Sequence, residues 1–259
     1  MQISVLGPFE VIRNGISIAP QTRKPRQILA LLALRVDRMV PTATLMEEIW
    51  GDNPPRSAAT TLQTYIMQLR AQITRTGESP RDLLVTKPNG YMLRAYPFYS
   101  DAVDFESLAL AGGKAFAEGD HATAARVLGE ALAKWQGPGL VDVTQGRVLT
   151  LEMECLEEAR LLATEQRIDA ELRLGKHNQL LPELRILVSD QPMKENLRAL
   201  LMLALHRSGS TWRALQEFQQ LRETLVDELG IEPSTRLQRL HRAILSDAPE
   251  LTVDTLARF

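Results

Sequence analysis

The sequence predicts a mainly α-helical chain: a winged helix-turn-helix with small antiparallel β elements, followed by an all-α domain of tetratricopeptide-like helical hairpins. Three observations predict this fold class. Short strand-like segments flank three helical segments in the first third of the chain. Helical periodicity then continues almost without interruption from residue 103 onward. Two glycines in the second half lie 34 residues apart, which is the tetratricopeptide spacing.

The composition is that of an ordinary globular protein with room for about two domains. Of the 259 residues, 44% are hydrophobic and 24% are charged, which argues against wholesale disorder. The single cysteine, Cys155, excludes an internal disulfide, and its apolar neighbours predict a buried thiol. Because we find neither a signal-peptide pattern nor an apolar run of membrane length, we expect a cytoplasmic protein without a membrane partner.

Charge is divided unevenly along the chain. Residues 1–94 contain 12 basic and 7 acidic residues, whereas the remainder contains 18 basic and 25 acidic residues. The net charge of −2 therefore hides a basic first third and an acidic body. Such asymmetry is typical of a chain in which one domain meets phosphate and the other does not.

The strand-like segments are separated by turn signals. Asn14-Gly15 indicates a hairpin, because both central residues of a type I′ turn need positive φ. A second hairpin is expected over residues 83–93, around Lys87-Pro88-Asn89-Gly90. The sequence pattern changes near residue 97 from mixed strand and helix signals to helical periodicity alone. We therefore expect a DNA-binding domain at 1–97, a helical domain at 98–246 and a flexible tail at 247–259.

The three helical segments between the two hairpins differ in character. The first is apolar nearly all round and predicts a buried spine. The second is expected to begin near Thr42 as its N-cap, or about two residues later if Thr44 and Glu47 form a capping box instead. The third follows Ser57, also a plausible N-cap, and its apolar residues recur on one narrow stripe that must face the core. That stripe consists of Leu62, Ile66, Leu69 and Ile73.

The opposite face of the third helix is the main functional signal. It presents hydroxyls, an amide and methyl groups, and within residues 57–72 the only charged residue is Arg70. Hydroxyls and amides bind base edges in the major groove, where methyl groups contact thymine. The alternative is an ordinary solvated face rich in threonine and glutamine. The candidate base and groove contacts are Thr60, Thr61, Thr64 and Gln68, with Tyr65 beside them at the edge of the core stripe.

A hairpin that follows a recognition helix is a wing, and cations near both elements are candidates for phosphate binding. Arginines and lysines at a helix amino terminus form a good phosphate clamp. For any one of these residues, a solvated surface charge is the competing interpretation. The candidate phosphate and wing contacts are Arg23, Lys24, Arg70, Arg75, Lys87 and Asn89.

The second half reads as repeated helix pairs. Gly119, Gly175 and Gly209 punctuate helical stretches, and the last two are the glycines 34 residues apart. We expect three helical hairpins, one of them lengthened by a long helix over residues 149–174. A closing helix is expected over residues 233–245.

Enzymatic and metal-binding patterns are absent from the sequence. We find no GxxxxGK[ST], HExxH or GxSxG motif, and the four histidines lack a second ligand at metal-binding spacing. We therefore expect no catalytic residue, no metal site and no cofactor, and we expect that the protein is not an enzyme.

The order of these elements resembles that of a known family. Leu6-Gly7-Pro8, Glu48-Ile49-Trp50-Gly51, Leu69-Arg70 and Gly90-Tyr91 resemble the OmpR-type winged helix. The run Asp227-Glu228-Leu229-Gly230-Ile231-Glu232-Pro233-Ser234 resembles the bacterial transcriptional activation domain. Together they make the chain similar to the Streptomyces antibiotic regulatory protein family over nearly its whole length.

The resemblance implies a pathway-specific transcriptional activator of an antibiotic gene cluster. Such a protein would bind direct repeats in double-stranded promoter DNA as a head-to-tail homodimer associated with the nucleoid. It would recruit the RNA polymerase holoenzyme, through the sigma factor and the alpha C-terminal domain. The alternative is a helical-repeat scaffold whose winged helix serves protein contacts, but its outer face over residues 57–75 would then tend to be apolar.

Overall fold

The structure is a computed structural model that describes residues 1–246; the tail expected at 247–259 lies outside the described residues. Contacts divide the chain into two compact units, Met1–Leu110 with Glu130–Leu161, and Ala111–Gly129 with Leu162–Phe259. We call them the winged-helix unit and the helical unit. Among residues 1–246, no helix is both long and apolar enough to cross a bilayer.

The described residues form seven strands and eleven helices. The strands are β1 (Gln2–Ser4), β2 (Glu10–Arg13), β3 (Ile16–Ser17), β4 (Val40–Pro41), β5 (Leu84–Lys87), β6 (Gly90–Leu93) and β7 (Tyr99–Ser100). The helices of the first hundred residues are α1 (Arg23–Leu34), α2 (Thr42–Trp50), α3 (Ala58–Thr74) and α4 (Pro80–Leu83). The later helices are α5 (Asp101–Ala117), α6 (His121–Leu132), α7 (Arg147–Arg173), α8 (His177–Asp190), α9 (Glu195–Arg207), α10 (Thr211–Leu229) and α11 (Thr235–Leu245).

Both predicted hairpins are confirmed. Asn14 and Gly15 have φ values of 51° and 75°, and they join β2 to β3 as an antiparallel pair. Asn89, with φ of 61°, turns β5 into β6. The first sheet has the order β3-β2-β1-β7, and the wing sheet has the order β4-β6-β5.

One strand pair departs from the antiparallel prediction, because β7 runs parallel to β1. A parallel pair needs a long crossover connection, and the whole winged helix supplies it here. The strand therefore places residues just past the expected boundary at 97 on the first sheet. The boundary at residue 97 therefore remains a prediction from the sequence pattern. Contacts in the structure assign residues 98–110 to the winged-helix unit.

In the winged-helix unit, α1 packs against α2, α3 and β6, and α2 packs against α3, β4 and β6. The apolar stripe predicted on α3 is confirmed, since its four members are at most 1% exposed. Helix α1 is buried along most of its length, as its apolar sequence predicts. These contacts fix the orientation of α3, so its opposite face is turned away from the core.

The N-cap prediction for α2 is wrong. Thr42 is the first helical residue, and Pro41 occupies the N-cap position without a side-chain hydrogen bond. The Thr42 backbone N–H instead donates to the carbonyl oxygen of Asn89 at 2.8 Å. The wing turn therefore satisfies the first N–H of α2, one of the four at a helix amino terminus that have no partner within the helix. Ser57 does occupy the N-cap position of α3, although its hydroxyl makes no capping bond.

Residues after position 98 are hydrogen-bonded to the first sheet and its following loop. The Asp101 carboxylate accepts the backbone N–H groups of Val5 and Leu6 at 2.9–3.0 Å. The backbone N–H groups of Gln136 and Leu140 donate to the carbonyl oxygens of Leu6 and Val5, at 2.7 and 2.9 Å. Residues that the sequence pattern assigns to the helical domain are thus hydrogen-bonded within the winged-helix unit.

The helical unit contains two of the three predicted helix pairs, α8/α9 and α10/α11. Gly175 and Gly209 adopt φ values of 84° and 78° before the helix pairs α8/α9 and α10/α11, so the 34-residue period is confirmed. Five residues beyond the three punctuating glycines, the side chains are buried. These are Ala124, Leu180 and Ala214.

The predicted burial of Cys155 is wrong, because its side chain is exposed. The buried face of α7 near this position repeats at Leu149, Met153 and Leu156. At 100° per residue, Cys155 falls on the opposite side of the helix.

Candidate nucleic-acid interface

The outer face of α3 is open and almost uncharged. Thr60, Thr64 and Gln68 are exposed, and Thr61 is half-buried. The Thr64 hydroxyl donates to the Thr60 carbonyl oxygen at 3.1 Å, which leaves its lone pairs facing outward. The four predicted base contacts therefore lie on one helical surface that offers hydroxyl and amide groups.

Tyr65 belongs to an aromatic column beside this face. Its ring stacks on Trp50 of α2, with centroids 6.4 Å apart and planes inclined by 26°. The Lys24 ammonium nitrogen lies 5.1 Å from the centroid of the Trp50 ring. The column connects α1, α2 and α3, and a cation over an aromatic face is stabilised by the ring quadrupole. Trp50 is half-buried in this column.

The wing is a tight hairpin fixed at both ends of its turn. Asn89 is exposed and Lys87 is half-buried, so both predicted wing residues lie at the tip. Gly90 has no room for a side chain, because a Cβ atom there would lie 2.5 Å from the Val40 carbonyl oxygen. The close approach of β4 therefore requires glycine at this position.

Arg70 connects α3 to the wing. Its Nη2 donates to the Leu84 carbonyl oxygen and to the Thr86 hydroxyl, each at 2.8 Å, and its Nε is 3.3 Å from the same carbonyl. These bonds hold β5 against the helix. Arg75, at the carboxyl end of α3, is exposed and donates to the Gln72 side chain at 2.8 Å. The Arg70 guanidinium is thus largely used in bonds to the wing, whereas more of the Arg75 guanidinium remains available to bind an anion.

Arg23 and Lys24 line a cleft of about 360 Å³ at the amino terminus of α1. The Arg23 Nε donates to the Thr144 hydroxyl at 2.5 Å. Arg147 lines the same cleft; its side chain is 82% exposed and lies 3.4 Å from the Glu47 carboxylate. Three cations therefore surround one helix amino terminus, which favours anions. Sequence reasoning missed Arg147, because it lies more than 120 residues from Arg23.

A buried carboxylate supports the wall of this cleft. Glu48 is only 2% exposed, and it accepts the Gln27 side-chain N–H at 2.7 Å. It also accepts the backbone N–H groups of Gly146 and Leu149, at 2.6 and 2.9 Å. A buried charge is tolerated when hydrogen bonds satisfy it in this way. Glu48 therefore fixes the loop before α7 against α1 and α2.

The structure places ten of the eleven predicted residues in three groups. The recognition face and its aromatic neighbour form the first, the wing with Arg70 forms the second, and the α1 cleft forms the third. Arg75 lies apart at the end of α3. Within the part of the chain that the structure describes, no cluster of three or more His, Cys, Asp or Glu side chains could hold a metal ion.

Two family profiles match the chain. "Bacterial transcriptional activator domain" matches residues 100–245, and "Transcriptional regulatory protein, C terminal" matches residues 19–93. The chain is 48% identical over 254 residues to the regulatory protein DnrI of Streptomyces peucetius, covering 96% of this chain and 93% of that protein. It is 34% identical to the regulatory protein AfsR of Streptomyces griseus, covering 97% of this chain and 25% of that protein.

A solved structure is also similar. EmbR of Mycobacterium tuberculosis, determined in complex with a low affinity phosphopeptide, superposes with a TM-score of 0.90 at 30% identity. The match covers 99% of this chain and 68% of that chain. The combination of a winged helix and a helical domain is therefore shared with a solved regulator.

Proposed function

The chain belongs to the Streptomyces antibiotic regulatory protein family of transcriptional regulators, whose members bind DNA, and on that premise we propose that it is a sequence-specific activator of a secondary-metabolite gene cluster. The observation that carries the proposal is the exposed, uncharged outer face of α3. An ordinary solvated helix carries glutamate and lysine, whereas a helix that reads base edges needs hydroxyls and amides.

We assign base and groove contacts to Thr60, Thr61, Thr64 and Gln68, with Tyr65 positioned by Trp50 at the edge of the same face. Five cations and Asn89 then hold the DNA backbone, because phosphate contacts set register and orientation without reading sequence. In this assignment Arg70 serves mainly by fixing the wing, since Leu84 and Thr86 already accept its N–H groups. The other backbone contacts are Arg23, Lys24, Arg75, Lys87 and Asn89.

The proposed assembly is a head-to-tail homodimer on direct repeats, acting in the cytoplasm on nucleoid DNA without a cofactor. A head-to-tail arrangement gives both protomers the same orientation, so the two half-sites must repeat rather than invert. We further propose that the bound dimer recruits the RNA polymerase holoenzyme through the sigma factor and the alpha C-terminal domain.

Footprinting on promoters near the gene tests the binding mode. We expect two protected tracts of the same sequence in the same orientation, one helical turn or a whole number of turns apart. Inverting one half-site should abolish paired protection, whereas exchanging both for unrelated sequence should abolish protection altogether. Protection of inverted repeats would refute the head-to-tail arrangement.

Run-off transcription with purified polymerase tests recruitment separately. We expect transcript to increase when the full-length protein is added to a template with both half-sites, and not when the half-sites are scrambled. Specific footprints without any increase in transcript would retain the DNA-binding proposal and exclude recruitment under these conditions.

A further inference from the structure

The helical unit contains a half-open cavity of about 190 Å³ between four of its helices. Phe116 comes from α5, Leu162 from α7, and Ala199 and Leu200 from α9; together they form an apolar wall. Leu162 is 55% exposed, so this wall reaches the solvent. Because an engineered cavity of about 150 Å³ accommodates benzene, this cavity admits a group about the size of one ring.

A polar wall faces the apolar one. The Asn196 side chain donates to the Glu165 carboxylate at 3.1 Å and accepts from the Arg236 Nη1 at 3.1 Å. The amide thus lies between a negative group and a positive group. The cavity therefore presents an acceptor and a donor of opposite charge, separated by about one amide.

The donor on this wall is incompletely satisfied. The Arg236 Nε is buried and has no hydrogen-bond partner among the described residues, although Arg236 lines the cavity. A buried polar group without a partner costs free energy, so a native structure normally supplies a partner or a ligand. The Nε atom itself is not accessible from the cavity, so an anionic group would bind the guanidinium through its Nη atoms, beside the Asn196 amide.

The polar wall also contains two carboxyl groups, those of Glu165 and Asp169. Burial raises the pKa values of the Glu165 and Asp169 carboxyls. Asp169 already has a cation, since Arg173 donates to it at 3.1 Å. Glu165 is hydrogen-bonded to a neutral amide, and the charges of Lys194 and Arg236 offset its burial only in part, so an ammonium group beside it would further favour its charged form.

We propose that this cavity binds a small zwitterion, an α-amino acid or a compound with the same head group and an apolar side chain. The ligand ammonium binds Glu165, its carboxylate binds Arg236, and its side chain packs on Phe116, Leu162 and Leu200. Small-molecule sites are typically built in this way, with an apolar lining and a few convergent polar groups.

Calorimetric titration of the full-length protein with L-phenylalanine and L-leucine tests the proposal. We expect saturable binding by at least one of them, with a Kd of about 1 mM or below. β-Phenylethylamine and 3-phenylpropanoate each lack one half of the head group, and each should bind about tenfold weaker or not at all. No saturable binding of either amino acid would overturn the proposal, and equal binding of the amine alone would overturn the zwitterion assignment.

Variants locate the site. Arg236→Gln and Glu165→Gln should each weaken binding of the amino acid by about tenfold, since each removes one charge-assisted hydrogen bond. Arg242→Gln, at an exposed position of the same helix, should bind as the wild type does. Thermal unfolding identifies variants that remain folded. Wild-type affinity in a folded Arg236→Gln or Glu165→Gln variant would overturn the placement.

Discussion

The outer face of α3 and the cavity of the helical unit both carry polar groups, but those of α3 are uncharged and exposed, whereas those of the cavity include charged side chains. On α3 the exposed groups are hydroxyls and an amide, they are uncharged, and no wall encloses them. In the cavity the polar groups include charged side chains on either side of an amide, and an apolar wall faces them. An open, uncharged face suits a long surface such as a DNA groove, whereas a walled pair of charges suits a small molecule.

Two interior polar groups, one in each unit, also differ in how they are satisfied. In the winged-helix unit the Glu48 carboxylate accepts three N–H groups from Gln27, Gly146 and Leu149. In the helical unit the buried Nε of Arg236 has no partner. The satisfied carboxylate of Glu48 fixes local structure, whereas the guanidinium of Arg236 keeps unsatisfied hydrogen-bonding capacity.

The largest expected effect comes from Glu48→Ala. The change leaves two backbone N–H groups and one of the two N–H groups of the Gln27 amide without their acceptor, so the free energy of unfolding should fall by about 3 kcal/mol. Urea-induced unfolding followed by circular dichroism measures it. Glu47→Ala, on the same helix but only in a surface ion pair with Arg147, should change stability by less than about 0.5 kcal/mol. Equal losses of stability in the two variants would show that the buried Glu48 hydrogen bonds contribute no more than the surface ion pair of Glu47.

Gln68→Ala should relax sequence preference. Loss of one amide that reads a base should reduce discrimination between operator and random DNA by about 2 kcal/mol, chiefly by weakening operator binding. Competitive binding titration measures the ratio of affinities. Gln63→Ala is the matched control, because Gln63 is an exposed glutamine on α3 about 140° away from Gln68. Equal losses on operator and random DNA for Gln68→Ala would argue against base reading there.

Lys87→Ala should weaken all DNA sequences about equally. A wing lysine that binds phosphate contributes no sequence information, so its loss should reduce the slope of log affinity against log salt by about one. Titrations at several salt concentrations measure the slope. Lys114→Ala removes an exposed lysine of the helical unit that pairs with Glu118, and it should leave the slope unchanged. A loss confined to the operator would instead make Lys87 a base contact.

The smallest effect is a pH dependence at Glu165. Burial raises the pKa of this carboxyl above 4.5, so just above pH 4.5 the folded chain retains a proton that the unfolded chain releases. The contribution of Glu165 to stability therefore falls as the pH rises through the raised value. Urea unfolding at a series of pH values should show wild type losing stability relative to Glu165→Gln as pH rises. A constant difference between the two proteins would contradict the direction of this shift.

Local patterns account for most of what the sequence predicts correctly. The hairpin at Asn14-Gly15, the wing turn at Asn89, the core stripe of α3 and the 34-residue helix pairs all depend on neighbours within a few turns. Backbone preference and periodicity determine such features directly. The same logic selects the outer face of α3, because a residue opposite a buried stripe must face away from the core.

The errors and omissions concern partners that are distant in sequence. Thr42 fails as a cap because the wing, more than 40 residues later, satisfies the start of α2. Glu48 and Arg147 belong to contacts that join residues about 100 apart, and no local pattern marks them. Cys155 is an error of a different kind, since apolar neighbours in sequence do not determine which side of a helix is buried. Tertiary packing decides these cases.

The most direct test of the central claim is a competitive binding titration of the full-length protein against promoter fragments from its own gene neighbourhood, with random DNA as competitor and at several salt concentrations. We predict that one fragment binds at least about 1,000-fold tighter than random DNA and that its affinity falls steeply with salt. If no fragment outcompetes random DNA, the outer face of α3 does not read sequence. The winged helix would then serve protein contacts within a helical scaffold.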